Sequence, residues 1–154
     1  MIITVDSNIL LSVFSKDSLY RKSAALLEKY CSHEYIINDC IYLEVGVHFP
    51  NLKVLDVALN TLEIRLIEAY ERNYNATVNA WINYLKKKKF VCPSCGKAIN
   101  PVCPNCKHRL SFRQRILTDF LIAGFASANS NGIITLDPTY YRNYFPRLKI
   151  FGLN

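Results

Sequence analysis

Residues 2–8 read Ile2-Ile3-Thr4-Val5-Asp6-Ser7-Asn8. Four β-branched residues in a row predict a short buried strand. Asp6 then stands where that strand ends. Three further runs have the same character: Tyr35-Ile36-Ile37, Gly132-Ile133-Ile134-Thr135-Leu136 and Leu148-Lys149-Ile150-Phe151. The segments between them have helical spacing. Leu19 to Tyr30 places apolar residues along one helical face. Asp39 reads as an N-cap for a helix through Ile41-Tyr42-Leu43-Glu44-Val45 to about Phe49, stopped by Pro50. Leu52 to about Lys88 is helical in pattern, with a break near Asn73 to Asn75. Ser111 can cap a helix from Phe112 to about Ala128. Strands alternating with helices predict an α/β fold with a mainly parallel sheet.

The composition agrees with one globular unit. The chain has 154 residues, 51% hydrophobic and 20% charged, which excludes disordered, collagen-like and coiled-coil classes. No apolar run reaches the eighteen or so residues that a membrane helix needs. The start MIITVDSNILL carries Asp6 and no basic flank, a poor secretory signal, so a cytoplasmic protein is expected.

The net charge of +7 is unevenly distributed. Ten Lys or Arg fall between Arg72 and Thr118, with no Asp or Glu among them. The rest of the chain has nine basic and twelve acidic residues, a net of −3. A basic segment on a slightly acidic body suits a polyanion, most simply nucleic acid. The alternative is a solvated basic face.

Four of the six cysteines form Cys92-Pro-Ser-Cys95 and Cys103-Pro-Asn-Cys106. Two such pairs match tetrahedral thiolate coordination of zinc. Gly96 suits the positive φ of a metal knuckle, and Asn100-Pro101 marks a turn that would bring the knuckles together. A minimal zinc ribbon over residues 90–110 is therefore expected. Two disulfides or a redox pair are the rival readings. Cys31 and Cys40 lack ligand spacing and read as buried small hydrophobes, although a disulfide between them stays open.

Four carboxylates occupy positions where burial is costly unless a partner satisfies them. Asp6 and Asp137 each end an apolar strand. Glu44 and Asp119 are embedded in apolar helical runs. Sites in open parallel sheets form beyond the carboxyl ends of the strands. Independent capping or exposed acids are the bland alternative, strongest for Asp137, because Asp-Pro commonly starts a turn.

Asp6-Ser7-Asn8, Ile41-Tyr42-Leu43-Glu44-Val45, Asp119-Phe120-Leu121-Ile122-Ala123-Gly124-Phe125-Ala126 and Thr135-Leu136-Asp137 resemble, in family order, the four signature blocks of PIN-domain ribonucleases. VapC-type toxins are the most similar in size. The resemblance covers Ile2 to Phe151, apart from the inserted cysteine module. It implies a three-layer α/β/α fold with four or five strands, formed by residues 1–89 and 111–154. It also implies a metal-dependent endoribonuclease, with Asp6, Glu44, Asp119 and Asp137 holding Mg or Mn, some through water. Hard oxygen ligands suit those ions. Asp6 and Asp119 would be the most direct ligands. Ser7, Asn8 and Thr135 would orient the acids or the attacking water, with ordinary turn and cap chemistry as the alternative.

Lys86, Lys87, Lys88 and Lys89, together with Arg113 and Arg115, are the expected RNA-binding residues. An ion pair between Arg115 and Asp119 is the simpler reading of that spacing. Tyr74, Trp81 and Tyr84 could stack on bases, but their helical context favours packing. Expected partners are RNA and either an antitoxin or a ribosomal component, with a homodimer implied by resemblance only. The rival from another class is a non-catalytic RNA-binding or ribosome-associated zinc-ribbon module.

Overall fold

The computed structural model describes residues 1–67, 74–87, 92, 94–108 and 117–152. Five strands form one sheet: β1 (Ile2–Val5), β2 (Glu34–Ile37), β3 (Ile64–Leu66), β4 (Ile133–Ile134) and β5 (Ile150–Phe151). Their order is β3-β2-β1-β4-β5, and every neighbouring pair is parallel. The helices are α1 (Ser7–Ser15), α2 (Tyr20–Lys29), α3 (Asp39–Gly46), α4 (Leu52–Thr61), α5 (Tyr74–Lys87), α6 (Leu117–Asn129) and α7 (Pro138–Tyr144).

Chain progression leaves β1 in one direction to β2 and β3, and returns on its other side to β4 and β5. Right-handed crossovers then assign α1–α4 to one face and α5–α7 to the other. The packing agrees: α1 meets α2 and α3, α3 meets α4, and α5 meets both α6 and α7. This is the expected three-layer α/β arrangement. The strand order reverses between β1 and β4, the place where such sheets open a crevice for ligands. The core is apolar and closed: Ile3, Val5, Ile37, Ile133 and Ile134 on the strands are fully or almost fully buried, as are Ile9, Ile41, Leu55, Phe120 and Ile122 on the helices.

Several local expectations change. The stretch from Leu52 onward is not helical throughout, because Ile64–Leu66 pairs with β2 as β3. Glu63, at φ 54°, turns the chain out of α4 just before it. Three residues are too few to display a strand period. The N-cap of α3 is Asn38 and not Asp39: its side chain accepts a hydrogen bond from the Ile41 N–H at 3.0 Å. Helix α1 follows β1 with only Asp6 between them, an element that the sequence pattern does not announce. Cys31 is exposed, whereas Cys40 packs on the core; the two are not joined in a disulfide. Of the helix expected from Ser111, the described part is Leu117–Asn129, and residues 111–116 lie outside the described residues. No helix among the described residues is long and apolar enough to cross a membrane.

Gly132 brings β4 against β5. Its φ is +155°, and a Cβ there would meet the Lys149 carbonyl oxygen at 2.4 Å and the Phe151 ring at 2.6 Å. Gly132→Ala is therefore expected to cost about 3 kcal/mol, read as a lower midpoint in urea unfolding.

Candidate active site

Parallel strands align their carboxyl ends, and the residues that follow β1 and β4 meet there. Asp6 comes directly after β1, and its N–H donates to the Ile134 carbonyl at 3.0 Å, extending the pairing with β4. Thr135 and Asp137 follow β4 on the neighbouring strand. Asn8, in the first turn of α1, ties the two together. Its Nδ2 donates to Asp6 Oδ2 at 2.8 Å and to Thr135 Oγ1 at 3.1 Å, while its Oδ1 accepts from the Leu136 N–H at 3.0 Å. Thr135 Oγ1 donates to Asp6 Oδ2 at 2.6 Å and accepts from the Asp137 N–H at 3.0 Å. Both donors and the acceptor of the Asn8 amide are thus used.

Tyr141 completes this network. Its hydroxyl donates to Asp6 Oδ2 at 3.0 Å from inside the core. No sequence motif points to it. The available signal is its place one turn into a helix that begins at Asp137-Pro138, since a buried tyrosine needs a partner for its hydroxyl. Burial first, then the neighbouring Asp6 charge, hold the Tyr141 hydroxyl well above its ordinary pKa, with Asp119 adding to the effect. It therefore remains a donor throughout the range in which Asp6 titrates.

The two Asp6 oxygens have different surroundings. Oδ2 accepts from Asn8, Thr135 and Tyr141. Among the described residues, the side-chain donor to Oδ1 is Ser7 Oγ, at a long 3.4 Å. The side chain is buried. Desolvation dominates its acidity and raises the pKa to about 6, against the opposing hydrogen bonds of Thr135, Tyr141 and Ser7, with the Glu44 charge contributing a small further rise. Tyr141→Phe removes one of the donors that favour the ionised form. The Asp6 pKa is expected to move above 6 in this variant, and carboxyl-carbon NMR titration of the labelled protein measures it.

Glu44 lies in the second turn of α3 and Asp119 in the first turn of α6; both are half-buried. Helices α3 and α6 pack against each other, so these acids come from neighbouring elements of opposite layers. The Glu44 charge acts on Asp6, and the Asp119 charge on Tyr141. Asp137 is also the N-cap of α7, where it accepts from the Tyr140 N–H at 3.3 Å.

Among the described residues, no three His, Cys, Asp or Glu side chains approach closely enough to share one metal ion. Like charges keep their distance unless a cation stands between them. The donor set nevertheless fits a hard divalent ion. Mg is typically held by one or two carboxylates while it keeps several waters. Asp6 Oδ1, with few hydrogen bonds on a carboxylate whose other oxygen is saturated, has the chemistry of such a ligand.

The remaining predicted residues divide between inside and outside the described chain. Lys86 is exposed on α5, the Lys87 side chain is not described, and Lys88, Lys89, Arg113 and Arg115 lie outside the described residues. Trp81 and Tyr84 pack and do not present open stacking faces. They stack on each other at 5.3 Å, and both contact Phe120. The Tyr74 side chain is not described. Cys92, Cys95, Cys103 and Cys106 fall between α5 and α6, all as free thiols. A cleft of about 480 Å³, lined by Asn79, Asn83, Ser130, Asn131, Arg147 and Lys149 among others, contains none of the four acids. It lies beside the residues that lead into β4 and β5, at the amino ends of those strands.

No protein-family model and no curated protein sequence matches the chain. Solved structures do. The crystal structure of VapBC2 from Rickettsia felis, bound to a DNA fragment from their promoter, matches with a TM-score of 0.60 and 14% identity over 100% of both chains. The structure of VapBC-1 from nontypeable Haemophilus influenzae matches with a TM-score of 0.59 and 17% identity, over 99% of this chain and 98% of that one. At such identities the likeness is one of fold. The chain has a VapC-like α/β fold with a five-stranded parallel sheet.

Proposed function

We propose that the chain is a PIN-type endoribonuclease of the VapC toxin class, working with Mg or Mn. The observation that carries this reading is the buried Asp6 carboxylate, fixed by three donors on one oxygen, at the sheet's switch point, with Glu44, Asp119 and Asp137 on the elements around it. A desolvated carboxylate with a raised pKa is a costly arrangement to keep for structure alone.

Asp6, Glu44, Asp119 and Asp137 would hold the ion. When bound, Mg or Mn supplies Lewis-acid activation of water and stabilises charge on the phosphoryl oxygens. Asn8, Thr135 and Tyr141 hold Asp6 in one orientation, so that little rearrangement is needed during the reaction. Ser7 donates to the Oδ1 side. Lys86 and the basic residues around the cysteine module would attract the RNA backbone.

A protein partner of antitoxin type fits the same reading, because the fold neighbours are VapBC assemblies. Leu43, Val47, Val54 and Val57, along α3 and α4, are 61, 80, 45 and 66% exposed. Exposed apolar residues on neighbouring helices suit a partner surface.

The test is incubation of structured and single-stranded RNA with the protein in Mn²⁺ or Mg²⁺, beside Asp6→Asn and Asp119→Asn. Cleavage that requires the ion and disappears in both variants supports the proposal. Intact RNA with tight, salt-sensitive binding would favour the non-catalytic RNA-binding module instead.

A further inference from the structure

The connection between α5 and α6 contains two turns with the same hydrogen bonding, repeated at an interval of eleven residues. In the first, the Cys92 carbonyl accepts from the Gly96 N–H at 2.8 Å, and the Cys92 N–H donates to the Lys97 carbonyl at 2.8 Å. In the second, the Cys103 carbonyl accepts from the Lys107 N–H at 2.9 Å, and the Cys103 N–H donates to the His108 carbonyl at 2.8 Å. The fifth residue of each turn is left-handed: Gly96 at φ 70° and Lys107 at φ 60°. Glycine adopts this conformation freely, but lysine does so only where its surroundings require it.

We propose that Cys92, Cys95, Cys103 and Cys106 are the four thiolate ligands of one structural zinc ion. Each knuckle supplies two sulfurs, and a closed zinc site takes four. Ala98 and Val102 each sit in a β bridge, on either side of Ile99-Asn100-Pro101, so a short turn joins the two knuckles.

The burial pattern gives independent support. None of the described residues from Cys92 to His108 is buried, and Ile99 and Val102 are 42 and 47% exposed. A segment this small, with no core of its own, needs a staple to keep two matching turns, one of them with a left-handed lysine. All four sulfurs are free thiols, so disulfides do not supply it. Among the described residues no three of these side chains are within reach of a common ion. Closing one knuckle on the other is then the ordering step that metal binding drives, as in small zinc domains where metal binding and folding are one equilibrium.

The site is separate from the acidic centre, and its test does not depend on nuclease activity. Full-length protein is purified without chelator, and its zinc is measured by elemental analysis beside a count of reactive thiols in the native state. About one zinc per chain is expected, with Cys92, Cys95, Cys103 and Cys106 unreactive until a chelator or denaturant is added. Replacement of zinc by Co²⁺ should give the absorption of a tetrahedral thiolate site. Cys103→Ser should lose zinc to below about a tenth of an equivalent, while Cys31→Ser and Asp6→Asn keep it. Zinc below about half an equivalent, with Cys92, Cys95, Cys103 and Cys106 reactive, overturns the proposal. So does zinc fully retained in Cys103→Ser, or two disulfides in the purified chain.

Discussion

Asp6→Asn is expected to lower RNA cleavage by at least about a thousandfold, and at the same time to stabilise the protein at neutral pH in the absence of divalent ions. The two effects have one cause. The carboxylate is desolvated, and its pKa rises from 3.8 to about 6 on folding. The folded chain therefore holds this proton more tightly than the unfolded chain. The associated stability, about 3 kcal/mol, is full below pH 4 and is lost as the pH rises through 6. Asparagine at position 6 carries no charge to desolvate, and its carbonyl can still accept from Asn8, Thr135 and Tyr141. Thermal unfolding at pH 5 and pH 7.5, without added divalent ions, should show the wild type losing stability across that interval and Asp6→Asn losing less. Added Mn²⁺ should restore the wild type at pH 7.5, because the ion binds the ionised carboxylate. A variant less stable than wild type at pH 7.5 would contradict the desolvation argument.

Phe120→Ala should destabilise the fold by about 4 kcal/mol. Phe120 is fully buried beside Asp119 and is the hub of an aromatic cluster. Its ring lies 5.0 Å from Trp81, 5.4 Å from Tyr140, 5.5 Å from Tyr144 and 5.7 Å from Tyr84. These contacts lock α6 to α5 and α7, and so fix the helix that carries Asp119. Trp81 is the single tryptophan, so its fluorescence reports both the loosened packing and the lower midpoint in urea. Phe120→Leu keeps most of the volume and should cost less than half as much. Equal losses in the two variants would mean that the ring contacts contribute little beyond bulk.

The elements that were legible in the sequence announce themselves locally. Ile2–Val5 and Ile133–Ile134 are β-branched runs buried on both faces, and a carboxylate at the end of such a run stands out. Glu44 and Asp119 are visible because their neighbours are apolar at helical spacing. The elements that stayed hidden depend on tertiary contacts. Ile64-Arg65-Leu66 becomes a strand because β2 offers it an open edge. Asn38 rather than Asp39 caps α3 because the chain leaves β2 one residue earlier than the Asp pattern suggests. Helix α1 begins at Ser7, so Ser7 and Asn8 act as first-turn helix residues while they also contact Asp6. Tyr141 lies 135 residues from the carboxylate it holds, and no spacing rule reaches that far. Asp137 takes the cap that the Asp-Pro pair suggests.

Asp6 and its neighbours are proposed above all as a site for a divalent cation. The most direct measurement is Mn²⁺ binding to the zinc-loaded protein, followed by the electron paramagnetic resonance of free Mn²⁺. Wild-type protein should bind one or two ions per chain, and Asp6→Asn should lose the tightest of them while keeping its fold. Equal Mn²⁺ binding by wild type and Asp6→Asn would contradict a cation site at this carboxylate.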